Sequence, residues 1–220
     1  MPEVDPQSLR PPYMPWDQRL CVVPAGDLYK AVRSGKAEIV TDRIGGFTPT
    51  GIELESGRHL PADIVVTATG LELVAMGNVD ITVDGTKVEP NSLYVYKGQM
   101  FSGVPNLAWC VGYTNASWTL RADLTWKYVA DYLNHLDLHG YAYGTPDPNA
   151  DFGQDTRLLD LASGYIARAD ELLPKSGART PWKVRQNWFL DSWDAKRTDL
   201  DEDMIWTRTA DLPVNQTAQS

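Results

Sequence analysis

The sequence predicts an α/β fold with β-hairpins and a C-terminal helical extension, and three stretches predict it. Residues 105–136 read as a buried strand, a polar turn and a long helix. Residues 63–67 read as a second buried strand, and residues 81–88 as a tight hairpin. The first of these organises the rest. Leu107-Ala108-Trp109-Cys110-Val111 carries no charge and is bounded by Pro105-Asn106 and Gly112. That is the pattern of a strand covered on both faces, as in a parallel sheet. After Tyr113-Thr114-Asn115-Ala116-Ser117, Leu120, Leu124 and Tyr128 form one i, i+4 row, continued by Val129, Leu133 and Leu136. Asn115, Ser117 and Thr119 are competent N-caps, and Gly140 is a C-terminal stop.

The other elements follow in chain order. Residues 1–16 hold five prolines up to position 15 and no periodicity, so they read as an extended arm. Leu20–Val23 reads as a short extended segment, and Asp27 caps a short helix stopped by Gly35. Ala37–Thr41 reads as a strand, and Gly45-Gly46 as an inter-strand turn. Gly51–Glu55 alternates apolar and charged residues, and Ser56-Gly57 turns the chain into Arg58-His59-Leu60. Asp63–Thr67 is the more buried strand and ends in Ala68-Thr69-Gly70. Asp84-Gly85 between Ile81-Thr82-Val83 and Thr86-Lys87-Val88 is a two-residue hairpin signature. Tyr143–Asp155 reads as a loop, with short helices over 157–161 and 165–173 and another over 181–191. The tail from Asp199 is acidic and then polar, and is expected to fray.

Composition narrows the function classes. A chain of 220 residues with 43% hydrophobic content can bury a core, and a net charge of −9 disfavours nucleic acid or an anionic membrane as partner. No run approaches the roughly 20 apolar residues of a membrane span. The first residues lack a signal-peptide pattern, and Cys21 and Cys110 read as buried reduced thiols, so the expected location is cytoplasmic. A disulfide between the two stays open. Most of the eight tryptophans read as packing residues; Trp118 lies in the central turn itself.

The turn at residues 112–117 matters because a helix N-terminus offers free N–H groups and partial positive charge to a negatively charged ligand atom. In doubly wound α/β folds ligands also sit outside the carboxyl ends of the strands. An ordinary ligand-free connection fits the same pattern. The wording adds more. Pro105–Leu136, together with ADIVVTATG at 62–70, resembles the C-terminal half of flavin-containing monooxygenases, in particular the Baeyer–Villiger branch. PYMPWDQRLCVVPAGDLYKAVRSGKAEIVTD and SGARTPWKV resemble the same branch, so the likeness runs from about Pro12 to about Trp188.

The resemblance implies a partial FAD/NAD(P)-binding, Rossmann-like fold. Gly112, Tyr113, Thr114, Asn115, Ser117, Trp118, Thr119 and Leu120 match the family's flavin-facing turn and helix start. Ala68, Thr69 and Gly70 match the end of its interdomain strand, and YKGQMFSGVPN its active-site surroundings. On this reading residues 17–70 are the tail of the NADPH domain, 71–142 close the FAD domain and 143–220 form the extension. FAD and NADPH are the implied cofactors. The implied substrate is a small organic molecule that receives one oxygen atom from O2, at a ketone or at a sulfur or nitrogen centre.

Much of the family's pattern is missing. Neither GxGxxG fingerprint, nor the FxGxxxHxxx(W) signature, nor the arginine that Baeyer–Villiger members place near the flavin is found, and the N-terminal nucleotide-binding βαβ units are lacking. The expected partner is therefore an upstream half of the same enzyme, without which Leu107–Val111 would keep an unpaired edge. Two other readings stand beside this one: a remnant that binds no flavin alone, and an interaction module with a tryptophan-rich face. No side chain reads as a catalytic acid or base. His135 and His139, spaced i, i+4, better complement the helix dipole than hold a metal. Arg179, Lys183 and Arg185 read first as a solvated basic patch and second as a phosphate contact.

Overall fold

The computed structural model describes residues 6–14, 17–18, 23–159 and 163–212. Cys21 and most of the segment expected to be extended at 20–23 lie outside them, as does the tail beyond residue 212. The chain forms two units, residues 1–71 and 72–220.

The first unit holds helix α1 (Asp27–Arg33) and a three-stranded antiparallel sheet of β1 (Ile44–Thr48), β2 (Gly51–Leu54) and β3 (His59–Pro61), in the order β1-β2-β3. The segment read as a glycine turn at 45–46 is thus part of a strand, with Phe47 facing Ile52 across the ladder. Gly51 has φ +150, and a Cβ there would run into the Leu60 carbonyl, which is why only glycine fits this close antiparallel approach. Two expected strands are absent. Ala37–Thr41 has no ladder partner, and Asp63–Gly70 lies outside any sheet with every residue exposed. Ile64 and Val66 are each 82% exposed. Their apolar run specifies burial on both faces, but among the described residues of this unit no neighbouring strand supplies it.

In the second unit β4 (Ile81–Val83) and β5 (Thr86–Val88) pair across Asp84 and Gly85. Both turn residues have positive φ, 50 and 79, as a type I′ hairpin requires. β6 (Val95–Tyr96) and β7 (Met100–Phe101) form a second small hairpin over Lys97-Gly98-Gln99. Helix α2 (Trp118–His139) runs 22 residues and stops at Gly140, whose φ of 66 closes the C-cap. Strand β8 (Tyr141–Pro146) follows directly and pairs antiparallel with β9 (Met204–Arg208); α3 (Gly164–Ala169) and α4 (Trp188–Ala195) lie between them.

Four sequence expectations change here. Leu107–Val111 is not a strand: half-buried Leu107 and Trp109 pack beside Leu93, Val95, Phe101 and Val104, and Trp109 N–H donates to the Gln99 carbonyl at 2.6 Å. The tail expected to fray contains β9, and the segment read as a loop overlaps β8 at Tyr143–Pro146. Alternation is weak in both strands, so aromatic stacking fixes the pair, with the Tyr141 and Trp206 rings 5.1 Å apart and 10° from parallel. Helix α2 also turns inward a face that only partly coincides with the expected stripe. Arg121, Thr125, Tyr128, Tyr132 and Leu136 are buried, whereas Leu133 and Trp126 are exposed. The expected stripe meets this face at Tyr128 and Leu136 and leaves Leu133 outside it, because the rest of the face is a charged residue and polar or half-polar ones that apolar periodicity does not mark. The core beneath it is Tyr96, Met100, Tyr128, Tyr132, Leu136 and Trp182.

Candidate functional site

The turn before α2 is built from the residues picked out by sequence, and each has a definite place. Gly112 is buried, and a Cβ on it would fall among the indole atoms of Trp118. The glycine thus lets its own chain's indole close over the backbone, while Trp118 remains 58% exposed on its outer side. Tyr113 is fully buried; its hydroxyl donates to Asp191 Oδ2 at 2.7 Å, and the Arg121 guanidinium lies 4.5 Å from its ring centroid. The Thr114 backbone N–H and hydroxyl donate to Gln186 Oε1 at 2.9 and 3.2 Å, and the Asn115 amide donates to the Gln186 carbonyl at 3.0 Å. A segment about 70 residues downstream therefore holds the turn.

Helix α2 begins without a side-chain cap. Ser117 sits at the N-cap, but its hydroxyl is 2.7 Å from that of Thr119, and its carbonyl accepts from Leu120 N–H at 3.3 Å. Trp118 and Thr119 in the first turn are exposed. A 22-residue helix with no capping carboxylate or hydroxyl presents its first N–H groups and positive dipole end to whatever stands in front. This end suits a polar ring edge that gains negative charge, which is the demand an isoalloxazine would make. The glycine face beside it, covered by Trp118, is not free to receive one.

Under the turn lies an ionic network. Arg121 Nη2 donates to Asp191 Oδ2 at 2.7 Å and to the Arg185 carbonyl at 3.0 Å. The two side chains are 5% and 13% exposed, so water screens the pair little. Burial raises the Asp191 carboxyl above the ordinary aspartate range, and this outweighs the opposing pull of Arg121 and of the Tyr113 hydroxyl. The Tyr113 phenol is itself held well above its usual value, first by burial and then by donation to Asp191. Sequence reading passed over Arg121, Gln186 and Asp191. No motif spacing links positions so far apart; the one cue was an arginine amid the apolar rows of a helix start.

Ala68, Thr69 and Gly70 belong to the first unit, where they are exposed and unpaired. In the β6–β7 hairpin Tyr96 and Met100 are core residues, whereas Lys97, Gly98 and Gln99 border a cleft. The His135 and His139 rings lie 4.4 Å apart and tilted beside Tyr141, and His135 Nε2 stands 3.4 Å from Asp201 without hydrogen-bond alignment. Among the described residues no group of three or more His, Cys, Asp or Glu is placed to hold a metal ion. Arg179 pairs with Asp151 and Arg185 with Asp194, while Lys183 borders the cleft. No described helix is long and apolar enough to cross a membrane.

Known proteins resemble the chain over most of its length. The chain is 47% identical over 204 residues to the FAD-containing monooxygenase EthA of Mycobacterium tuberculosis, a match covering 93% of this chain and 42% of that protein. The chain is homologous to FAD-containing monooxygenases. It is also 46% identical over 195 residues to EthA of Mycolicibacterium smegmatis, and 46% identical over 204 residues to the "Probable FAD-binding monooxygenase AlmA" of Acinetobacter baylyi. These matches cover 89% and 92% of this chain, and 40% and 41% of those proteins. The chain therefore spans about two fifths of the length of these monooxygenases, a share consistent with a C-terminal half. No protein-family model and no solved structure matches it.

Proposed function

We propose that this chain is the flavin-closing C-terminal part of an FAD- and NADPH-dependent monooxygenase of the Baeyer–Villiger kind, working with a further segment that supplies the nucleotide-binding units. The observation that carries the reading is the uncapped N-terminus of α2, set behind the Gly112 turn in a sequence close to FAD-containing monooxygenases. Trp118, Thr119 and Leu120 would hold the pyrimidine edge of the flavin through first-turn N–H groups, an attraction of about 0.5–2 kcal/mol. FAD bound there would supply the redox and oxygen-transfer chemistry towards a ketone or a sulfur or nitrogen centre, with NADPH as electron source. The chain's own residues would do the rest. Tyr113, Arg121 and Asp191 fix the helix start, Gln186 fixes the turn, and Trp118 keeps water from the face it covers. Ala68, Thr69 and Gly70 would carry the chain between the nucleotide domains.

A second reading is favoured by two particulars. The indole of Trp118 already covers Gly112, and Gln186 already takes the Thr114 N–H. On that reading the chain by itself binds no flavin. One experiment separates the two. The chain is purified with added FAD, alone and co-expressed with the N-terminal portion of a homologous FAD-containing monooxygenase, and flavin absorbance is followed through gel filtration. Flavin retained only in the co-expressed sample, with changed Trp118 fluorescence, bears out the proposal. Absence of flavin from both samples overturns it.

A further inference from the structure

The contact between Gly112 and Trp118 has a reason other than backbone shape. The φ of Gly112 lies outside the left-handed region, so strain gives no cause for a glycine there. The cause is space. A Cβ would fall on Cγ, Cδ1 and Cδ2 of the Trp118 indole, so the missing side chain makes a seat for a flat ring.

Little else holds the indole on that seat. Among the described residues the Trp118 side chain makes no hydrogen bond, ring stack or cation contact, and it is 58% exposed. The indoles of Trp182 and Trp206, by contrast, donate to Asp203 and Asp201 at 2.8 and 2.7 Å. The turn also keeps its shape without Trp118, through Tyr113 on Asp191 and through Thr114 and Asn115 on Gln186. Trp118 is the first residue of α2, and turning its side chain breaks no helical hydrogen bond. The ring can therefore leave while the seat stays formed.

We propose that Trp118 is a self-inhibitory cover of this seat. Its indole rests on Gly112 in the free chain and turns away to admit the flavin ring when the upstream portion brings FAD. The inference rests on the flavin reading above and adds that the free chain is held closed. An isoalloxazine is a flat ring larger than an indole, and the two cannot share one glycine face. Until the nucleotide-binding units are in place, the cover keeps water and stray rings off that face.

Two measurements test this on the full chain, free and co-expressed with the N-terminal portion of a homologous FAD-containing monooxygenase. In the first, only glycine and tryptophan are protonated, and the NMR contact between the Gly112 α-protons and the Trp118 ring is followed. It should be present in the free chain and lost in the FAD complex. In the second, flavin fluorescence gives the FAD affinity of the co-expressed complex, with the natural chain and with Trp118→Ala. Removing the cover should tighten FAD about tenfold, because no half-buried indole has to be lifted into water. The far-ultraviolet circular dichroism of Trp118→Ala should match that of the natural chain. Gly112→Ala displaces the indole but also fills the seat, so it should weaken FAD instead. A contact that persists with FAD bound, or FAD held no more tightly by Trp118→Ala, overturns the cover and leaves the flavin reading in place. Absence of FAD from every sample overturns both.

Discussion

Burying Arg121 beside Asp191 removes two charges from water, and such a pair is tolerated only where its hydrogen bonds are complete. Here they are nearly so, through the Tyr113 hydroxyl, the Arg185 carbonyl and the direct contact. Arg121→Met would leave the carboxylate uncompensated, and is expected to cost about 3 kcal/mol at neutral pH by chemical denaturation. The pH dependence follows in sign from burial. The folded Asp191 carboxyl titrates above its unfolded value, so its contribution is greatest below the ordinary aspartate range and is lost as pH rises through the raised value. Without Arg121 the raised value climbs further. The deficit of Arg121→Met should therefore shrink on lowering the pH from 7 to 5, and a deficit of constant size would contradict the assignment. Gly112 makes a second case at this scale. Gly112→Ala drives a methyl into the Trp118 indole, and overpacking of this sort costs about 1–3 kcal/mol. Since Trp118 must leave its seat, a shift of tryptophan emission should accompany the loss of stability.

Among the elements, one hydroxyl joins α2 to the β8–β9 ladder and to the segment before the turn. Tyr132 accepts the Gly144 N–H at 2.7 Å and donates to Asn106 Oδ1 at 2.6 Å, joining helix, strand and the segment before the Gly112 turn. Tyr132→Phe keeps the ring and strands both partners, so a cost of about 1–3 kcal/mol is expected. The Gly144 amide should then exchange faster with solvent, and unchanged exchange would show that water replaces the hydroxyl. The elements also show why sequence could be read only in part. The hairpin at 81–88 was legible because Asp84-Gly85 needs nothing beyond itself to fix its φ angles. Helix α2 was legible in extent from its apolar periodicity and from Gly140. Its buried face was legible only at Tyr128 and Leu136, because the depth of Arg121 depends on Asp191, 70 residues away. β8 and β9 were missed for a similar reason: stacking of Tyr141 on Trp206 across the ladder, with His135 of α2 against both, leaves no alternation to read. At the candidate site the turn residues were visible locally, whereas Gln186 and Asp191, which hold them, were visible only in the fold.

For the molecule as a whole, the misread strands bear on what the chain does alone. Asp63–Thr67 and Leu107–Val111 have the composition of strands buried on both faces, yet neither belongs to a sheet, and Ile64 and Val66 are almost fully exposed. Beside α2 a groove of about 140 Å³ runs along Ala108, Tyr128, Leu133 and Leu136, with an apolar lining. Apolar area of this kind costs about 25 cal/mol per Å² left in water, and unpaired extended backbone adds a template for further pairing. The expected consequence is that the isolated chain self-associates through residues 63–67. Ile64→Lys with Val66→Lys should hold it monomeric in analytical ultracentrifugation at concentrations where the unmodified chain forms larger species. Neither residue has a packing role inside the first unit, so thermal stability should be unchanged by the pair. The same substitutions should weaken assembly with a co-expressed N-terminal portion, because a buried strand position cannot take a lysine cheaply. Loss of self-association with assembly intact would mean that the partner covers the α2 groove and leaves residues 63–67 in solvent. Loss of both would place the missing strands of the sheet against Ile64 and Val66.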